Sequence, residues 1–210
     1  MENERLIKSE IANAFSHGLG IILTLSFGPL LITKAQNTGI KGLGFGVALY
    51  CFGLLMVFTF STLYHSFSNP LAKRALRVFD HISIFFLIGG SYIPFVILFT
   101  NSQTAHLFFV IQWSLIALGI LKKVFYTGRF RLLSSLIYIF IGCMIFFFDY
   151  GFWKRIPDIP FYFVLAGGLS YLLGVIFYQN QKIPYNHFIW HLFVLFAAVC
   201  HFVGVYLVLN

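Results

Sequence analysis

Two histidines, His187 and His191, lie one helical turn apart at the start of the last apolar run of the chain. Residues i and i+4 share one helix face about 6 Å apart along the axis, so two such imidazoles can bind one Zn²⁺ ion. Ionisable groups are costly in hydrocarbon and are therefore informative when they occur there. The pair predicts a metal site that needs a third ligand.

His65 is the expected third ligand, because it ends another apolar run, in the segment STLYHSF, at the same depth. Three histidines and one water form the open tetrahedral arrangement of catalytic zinc sites. Ser61 lies one turn before His65 on the same helix face and is a candidate to hold water or substrate there. The alternative for Ser61 is a hydroxyl that bonds back to a carbonyl of its own helix.

Asp80 opens a third run, RVFDHISIF, beside His81. Neighbouring residues on a helix point about 100° apart, so the two side chains face different surroundings. The stripe that continues from Asp80 is small and polar, whereas the stripe from His81 is bulky and aromatic, which predicts that Asp80 faces inward. A carboxylate there could orient a metal-activated water and accept its proton. The alternative is a surface ion pair between Asp80 and one of three nearby cations, Lys73, Arg74 or Arg77.

A polar and small stripe also marks the first apolar run. Glu10, Asn13 and His17 share one face with Gly20 and Thr24. We expect this face to line the bundle and its polar residues to surround the metal site as a hydrogen-bond network. A direct role of Glu10 or His17 in the site is the other possibility.

Composition identifies the class of protein that holds these residues. The 210-residue chain is 60% apolar, 20% aromatic and only 10% charged, which is typical of a polytopic membrane protein. Its net charge of +8 comes mostly from Lys and Arg between apolar runs, as expected for topology signals and contact with lipid headgroups. No basic patch of an aqueous domain remains that would indicate a nucleic-acid partner.

Charges and clusters of Pro, Gly and Asn divide the chain into seven apolar segments. Most contain the roughly 20 residues that a spanning helix needs, and they are continuously apolar, unlike the alternating strands of an outer-membrane barrel. The predicted fold is an all-α integral membrane bundle of seven transmembrane helices in a single domain, residues 1–210. The predicted segments are 12–33, 42–68, 78–99, 105–121, 132–150, 160–180 and 187–209.

The distribution of Lys and Arg sets the expected orientation. In a seven-helix arrangement, 10 of the 14 fall on the side of the N-terminus and 4 on the other. The positive-inside rule then places the N-terminus in the cytoplasm and the C-terminus outside. The candidate site residues all fall in the cytoplasmic half, although the count does not use them. The ten cations are Arg5, Lys8, Lys73, Arg74, Arg77, Lys122, Lys123, Arg129, Arg131 and Lys182.

Taken in order, these motifs resemble the hemolysin III and progestin/adipoQ receptor (PAQR) family. The likeness covers nearly the whole chain, and the lack of long extensions is similar to the bacterial hemolysin III branch. The residues that carry it are Glu10, Asn13 and His17, SxxxH at Ser61 and His65, Asp80 with GSYIPF downstream, and HxxxH followed by HF at His187, His191 and His201.

The resemblance implies seven helices, a cytoplasmic N-terminus and a zinc ion held by His65, His187 and His191. It also implies that Asp80 and Ser61 lie near the metal-bound water. Animal members are hormone receptors linked to ceramide hydrolysis, and the wider superfamily contains alkaline ceramidases. The bacterial branch is named for haemolytic activity and is associated with membrane homeostasis.

Three functional hypotheses follow. The first is a zinc-dependent membrane hydrolase that cleaves an amide or ester of a lipid-like substrate, as a ceramidase does. The second is a pore-forming cytolysin, although the polar groups cluster at one end and do not line a full-length pore. The third is a membrane-homeostasis or sensor protein whose zinc is structural. All three predict a multi-pass protein among membrane lipids, in a bacterial inner membrane.

Overall fold

The computed structural model of this chain is a bundle of helices. It describes residues 2–210, with side chains from residue 4 onward, so Met1 of the predicted 1–210 domain lies outside the described residues. All regular structure in the described part is helical. The elements are α1 (Glu2–Asn37), α2 (Leu43–Ser66), α3 (Pro70–Phe99), α4 (Ser102–Tyr126), α5 (Arg131–Gly142), α6 (Ile145–Phe148), a 3₁₀ turn (Phe152–Arg155), α7 (Asp158–Gln179) and α8 (Asn186–Val208).

Within the described residues, six helices are long and apolar enough to cross a membrane: α1 to α4, α7 and α8. Their outward surfaces carry large apolar side chains that are more than half exposed, such as Phe15, Leu118 and Ile176. An apolar surface of this extent is unsuited to water and is what lipid contact requires. The chain is therefore a multi-pass membrane protein, as its composition predicts.

The fifth predicted span, 132–150, is not one continuous helix. α5 ends at Gly142, and α6 adds one turn after a break at Cys143 and Met144. At the break the Tyr92 hydroxyl of α3 donates to the Gly142 carbonyl, which would otherwise lack a partner at a helix end. The apolar pattern does not predict this break, because the pattern reflects neighbouring residues only and Tyr92 is 50 residues away in sequence.

α5, α6 and the 3₁₀ turn nevertheless follow α3 along its length. Near the start of α3, the Tyr138 hydroxyl donates to the His81 carbonyl at 2.8 Å. At the end of α3, Arg155 Nε donates to the Phe99 carbonyl at 2.6 Å. Between these two contacts the segment runs beside α3 in two short helices and a 3₁₀ turn.

α1 begins well before the predicted apolar run 12–33. Its first turns are polar, and an ion pair of Lys8 with Glu4, 2.7 Å long and one turn apart, supports the helix there. The hydropathy pattern misses these turns, because a polar helix end carries no apolar signal. As a result, Glu10, which precedes the predicted run, lies inside a regular helix.

α3 is buried on two sides. Gly90 of α3 lies against the backbone of Tyr50, and Gly53 of α2 lies against the backbone of Phe86, so α2 and α3 pack closely. The aromatic stripe of α3 is buried as well, since Phe85 is 1% exposed and packs against α4 and α5. α1 packs on both α2 and α8, and α7 packs on α8.

The two ends of the bundle differ in polarity. We call the end where α1, α3 and α8 begin and α2 and α4 end the N-terminal end of the bundle. Buried polar residues lie toward it, namely Asn13, Ser16, His17, Ser61, His65, Lys123 and His191. The core of the opposite half is mainly apolar, with Leu31, Leu43, Val47, Phe108, Met144, Phe152 and Val205. Polar chemistry is therefore placed at one end.

Candidate metal centre

The three predicted ligands meet at the N-terminal end of the bundle. One ring nitrogen from each of His65, His187 and His191 lies within 4.8 Å of those of the other two. The Nε2 atoms of His65 and His187 are 3.2 Å apart. His65 and His191 are buried, and His187 is half-buried. A single metal ion could contact all three rings.

The donor set fits a divalent metal ion. Two nitrogens that bind one tetrahedral Zn²⁺ at about 2.05 Å lie about 3.3 Å apart, which agrees with the 3.2 Å between His65 and His187. A hydrogen bond between the two Nε2 atoms is the other state that this distance allows. Imidazole suits zinc, copper, iron and nickel alike, so the rings by themselves do not name the metal.

Helix ends position the three rings. α2 ends one residue after His65, which places this ring in the last turn. Tyr185, with φ 56° and ψ 25°, makes a left-handed turn just before α8. The side-chain amide of Asn186, the first residue of α8, donates to a carbonyl of α7 at 3.2 Å and ties the two helices together. The histidine pair consequently lies in the first two turns of α8.

Glu10 of α1 holds the His65 ring on the side away from His187. Its Oε2 lies 2.8 Å from His65 Nδ1, so the ring donates to the carboxylate. The Lys73 ammonium is 3.1 Å from the same oxygen. Because Nδ1 carries the proton, Nε2 of His65 keeps its lone pair for a ligand. A carboxylate behind a metal-binding histidine also fixes the ring and raises its basicity.

Asn13 and Ser16 hold the His191 ring in a similar way. His191 Nδ1 lies 3.1 Å from the Asn13 carbonyl and 3.3 Å from Ser16 Oγ, and the Ser16 hydroxyl donates to the same carbonyl at 2.9 Å. Nδ1 therefore donates, and Nε2 is left for a ligand. Ser16 was not predicted, although its position three residues after Asn13 on the same helix face was a signal that could have found it.

His17 contacts the centre through the face of its ring. Its centroid is 3.7 Å from that of His191, with the planes at 10°, and Phe58 packs edge-on against it. The residue is 2% exposed, and neither ring nitrogen has a hydrogen-bond partner among the described residues. The network expected from the sequence thus includes Glu10 and Asn13 but not His17.

Ser61 lies one turn from His65 and is 1% exposed. Its hydroxyl has no hydrogen-bond partner within the described part of the chain, so it does not bond back to its own helix as the alternative required. A buried hydroxyl without a partner is costly. Ser61 Oγ is therefore available to a ligand.

Asp80 lies in the first half of α3, at the end of the bundle that also carries Ser61 and His65. Its side chain is 15% exposed. In residues 4–210, no Lys or Arg nitrogen lies within 4.0 Å of its carboxylate, so the alternative of a surface ion pair is not observed. Lys73, one of the cations considered for that pair, binds Glu10 instead.

The neighbouring His81 is as buried as Asp80, with a side chain that is 14% exposed. Its Nδ1 donates to the Arg77 carbonyl at 2.7 Å, which satisfies the ring within its own helix. The sequence pattern predicted that the stripe of α3 from Asp80 faces inward and set it apart from the aromatic stripe from His81. Both stripes are buried because α3 packs against other helices on two sides.

Comparison with known proteins gives the family. A profile described as Haemolysin-III related matches residues 6–202, a range that includes every candidate site residue. The chain belongs to the haemolysin III-related family. Two bacterial proteins are similar to this chain over most of its length. "Hemolysin-3" of Bacillus cereus is 34% identical over 198 residues, which cover 94% of this chain and 90% of the relative. "Hemolysin-3 homolog" of Bacillus subtilis (strain 168) is 35% identical over 196 residues, covering 93% and 92%.

An animal protein is also similar to this haemolysin III-related chain. "Monocyte to macrophage differentiation factor" of Homo sapiens is 28% identical over 204 residues, which cover 93% of this chain and 82% of the relative. No solved structure matches the chain significantly. The resemblance drawn from the ordered motifs is therefore confirmed at the level of the family.

Proposed function

We propose that this protein is a zinc-dependent integral membrane hydrolase that cleaves an amide or ester bond of a lipid-like substrate, as a ceramidase does. The observation that carries the proposal is the meeting of three imidazoles, two of them held through Nδ1 by α1. Three histidine ligands leave a fourth position open, as in hydrolytic zinc sites, whereas structural zinc sites are closed by four protein ligands.

The residues around the triad have the types that hydrolysis needs. When bound, the metal supplies Lewis acidity toward a carbonyl oxygen and toward water. The unpartnered Ser61 hydroxyl donates a hydrogen bond to the oxygen on which negative charge develops. The Asp80 carboxylate accepts a proton from the attacking water and delivers it to the leaving amine or alcohol. Glu10 and Asn13 keep the two anchored rings in place.

The setting of the site supports a lipid-like substrate and an orientation. The triad lies at the helix ends of a bundle with an apolar outer surface, where the headgroup of an amphiphile would reside. We place this end in the cytoplasm of a bacterial inner membrane, since 10 of the 14 Lys and Arg belong to it. With α5 and α6 counted as one crossing, the single domain crosses seven times and its C-terminus lies outside.

Metal analysis of the detergent-purified protein, combined with turnover of ceramides, acyl amides and phospholipids, tests the proposal. We expect one zinc per chain in the wild type and none in His191→Ala. Asp80→Asn should keep zinc and lose turnover by about 10²- to 10⁴-fold, because a general base is removed. Ser61→Ala should also keep zinc and hydrolyse more slowly.

Matched controls separate these effects from general damage. Asp158→Asn and Ser114→Ala make the same chemical changes at exposed positions away from the triad and should behave as the wild type. Zinc-loaded wild type that leaves all three substrate classes intact would overturn the hydrolase.

Membrane permeabilisation is the second candidate, favoured by the name "Hemolysin-3" of the Bacillus cereus relative. Leakage from liposomes that is equal for wild type and His187→Ala would favour it, because a hydrolase of this design needs the metal. A structural metal that holds α2 to α8 is the remaining alternative. It predicts loss of thermal stability on chelation in a protein without turnover.

A further inference from the structure

Lys123, in the last turn of α4, is a buried cation. The residue is only 4% exposed, and its ammonium lies 5.4 Å from the centroid of the Tyr138 ring. Among residues 4–210, no carboxylate lies within 4.0 Å of it. Lysine is almost never fully buried unless it is paired. Lys123 is thus a buried cation without a neighbouring counter-ion in the described part of the chain.

The neighbours of Lys123 add to its positive charge. Lys122 is the preceding residue of the same helix, and the guanidinium of Arg77 lies against Gly128 in the turn that follows α4. Lys122 donates to the Ser134 hydroxyl, which is neutral, at 2.9 Å. We call Arg77, Lys122 and Lys123 the cationic cluster. In residues 4–210 no carboxylate lies within 4.0 Å of any of the three, so the cluster carries an excess of positive charge.

The turn between α4 and α5 brings Arg77 into this cluster. Gly128 has φ +83°, and a Cβ there would lie 2.9 to 3.0 Å from the Arg77 guanidinium. The guanidinium therefore packs flat against the backbone of the turn, in a place that only glycine leaves open. This contact holds Arg77 of α3 beside the last turn of α4.

The cationic cluster is adjacent to the metal centre. Asp80 follows Arg77 by three residues on α3, and the next residue, His81, accepts a hydrogen bond at its backbone carbonyl from Tyr138, whose ring lies 5.4 Å from the Lys123 ammonium. The surfaces of α4 and α5 next to the cluster are apolar and exposed, as lipid-facing surfaces are. The exposed residues there are Leu121, Val124, Phe125, Leu132, Leu133 and Leu136.

We propose that Lys123 and Arg77 bind the oxyanion of an amphiphile, a phosphate or a carboxylate, beside the metal centre. Lysine and arginine form charge-assisted hydrogen bonds to both groups. The apolar surface of α4 and α5 accommodates the acyl chain while the anion enters the cluster. A contribution to membrane orientation does not explain why Lys123 is buried. Exposed cations such as Arg129 and Lys182 make that contribution without burial.

Binding of the anion requires no turnover, so this site stands apart from the hydrolase. The further statement that the bound amphiphile is the substrate or product rests on the function proposed above. The bound class would then be an anionic lipid or a released fatty acid. An anionic lipid substrate held in this way would have its scissile bond near Asp80 and the histidines.

Calorimetric titration of the purified protein in a neutral detergent tests the site. The probes are dioctanoyl phosphatidic acid, decanoate, inorganic phosphate and the uncharged dioctanoylglycerol. We expect one of the two anionic amphiphiles to bind and dioctanoylglycerol not to bind. Preference for phosphatidic acid assigns the site to phospholipid headgroups, preference for decanoate assigns it to fatty acids, and equal affinity for inorganic phosphate assigns it to free phosphate.

Lys123→Met keeps the volume of the side chain and removes its charge, so it should weaken binding of the preferred anion about tenfold or more. Arg77→Gln, at an exposed residue whose loss does not threaten the fold, should weaken it as well. Lys123→Arg should retain binding. The matched controls Lys182→Met and Arg129→Gln, which remove exposed cations of the same kind, should bind within twofold of the wild type.

Two results would overturn the site: wild-type affinity in both Lys123→Met and Arg77→Gln, or equal binding of dioctanoylglycerol and the anionic amphiphiles. His191→Ala distinguishes this outcome from failure of the hydrolase. It should lose metal and turnover while it still binds the anion, because the ammonium and guanidinium do not depend on the metal.

Discussion

In the candidate metal centre, the rings of His65 and His191 each donate a hydrogen bond from Nδ1 to a group of α1, which leaves Nε2 free for a ligand. The partner of His65 is the Glu10 carboxylate, and the partner of His191 is the Asn13 carbonyl. Neutral imidazoles held in one tautomer need no rearrangement to bind a cation. We therefore expect the residues that set the affinity for a metal ion to include groups of α1 that would not themselves contact it.

Glu10→Gln should weaken zinc binding by about 10- to 100-fold, because the amide removes the charge that orients and polarises the His65 ring. Competition with a chromophoric chelator measures this affinity. The matched control is Glu4→Gln, which removes the same charge from the same helix at an exposed position, where Glu4 pairs with Lys8. Equal zinc affinities of the two variants would show that Glu10 does not act on the metal through His65.

Residue type and depth were sufficient to predict where the histidines meet. Histidine is unusual in apolar runs, and the runs of His65 and His187 have their polar ends on the same side. The stacking of His17 was not predictable, because it depends on the rotation of α1 against α8, which a polar stripe defines only to within a helix face. The burial of Lys123 was not predicted, because the fourth apolar segment was taken to end at residue 121, whereas α4 continues to Tyr126.

At the scale of helices, the contact between α2 and α3 sets the distance from Ser61 to Asp80. A Cβ on Gly53 would lie 2.6 Å from the Phe86 carbonyl oxygen, and a Cβ on Gly90 would lie 2.9 Å from Tyr50 Cα. These are backbone atoms, which cannot move aside as the end of a flexible side chain can. The two glycines therefore fix how closely the helices approach.

Gly53→Ala should destabilise the protein by about 1–3 kcal/mol, because the added methyl group forces α2 and α3 apart. It should also slow hydrolysis as Ser61 and Asp80 separate. Thermal unfolding in detergent measures the first effect and turnover the second. The control is Gly168→Ala on α7, where nothing lies within 4 Å of the added Cβ and alanine is the better helix former. Equal stability of the two variants would contradict this account of the interface.

Most helices were predictable from apolar length, and the exceptions have identifiable causes. The third apolar segment was predicted to begin at residue 78, but α3 begins at Pro70, where the Asn69 side chain accepts from the backbone N–H groups of Leu71 and Ala72; the polar turns in between carry no apolar signal. The break after α5 did not follow, because the hydroxyl that meets the Gly142 carbonyl belongs to Tyr92, fifty residues away. Local patterns carry no information about such a contact.

At the scale of the whole molecule, the candidate metal centre joins distant parts of the chain. His65 and His187 are 122 residues apart in sequence, and α1 packs on both helices that carry them. An ion bound to both α2 and α8 ties the bundle together across α1. Because the unfolded chain does not hold these rings in place, the ion should stabilise the folded state.

Zinc should therefore raise the unfolding temperature, by a free energy of about 2.7 kcal/mol when its concentration is 100 times the dissociation constant. Chelation should lower the unfolding temperature of the wild type and of the control His106→Ala, whose histidine is exposed on α4. His191→Ala should not respond. An unchanged unfolding temperature in wild type that has lost its metal would show that the ion makes no contribution to stability.

The apolar half of the bundle has a consequence for membrane leakage. Large side chains such as Leu31, Phe108, Met144 and Phe152 fill its core among the described residues. Because these side chains fill the core between the histidines and the opposite end of the bundle, we expect a single copy to conduct no ions. Any permeation would have to run between neighbouring copies or along the boundary with lipid, and its rate would rise more steeply than in proportion to the number of copies per vesicle.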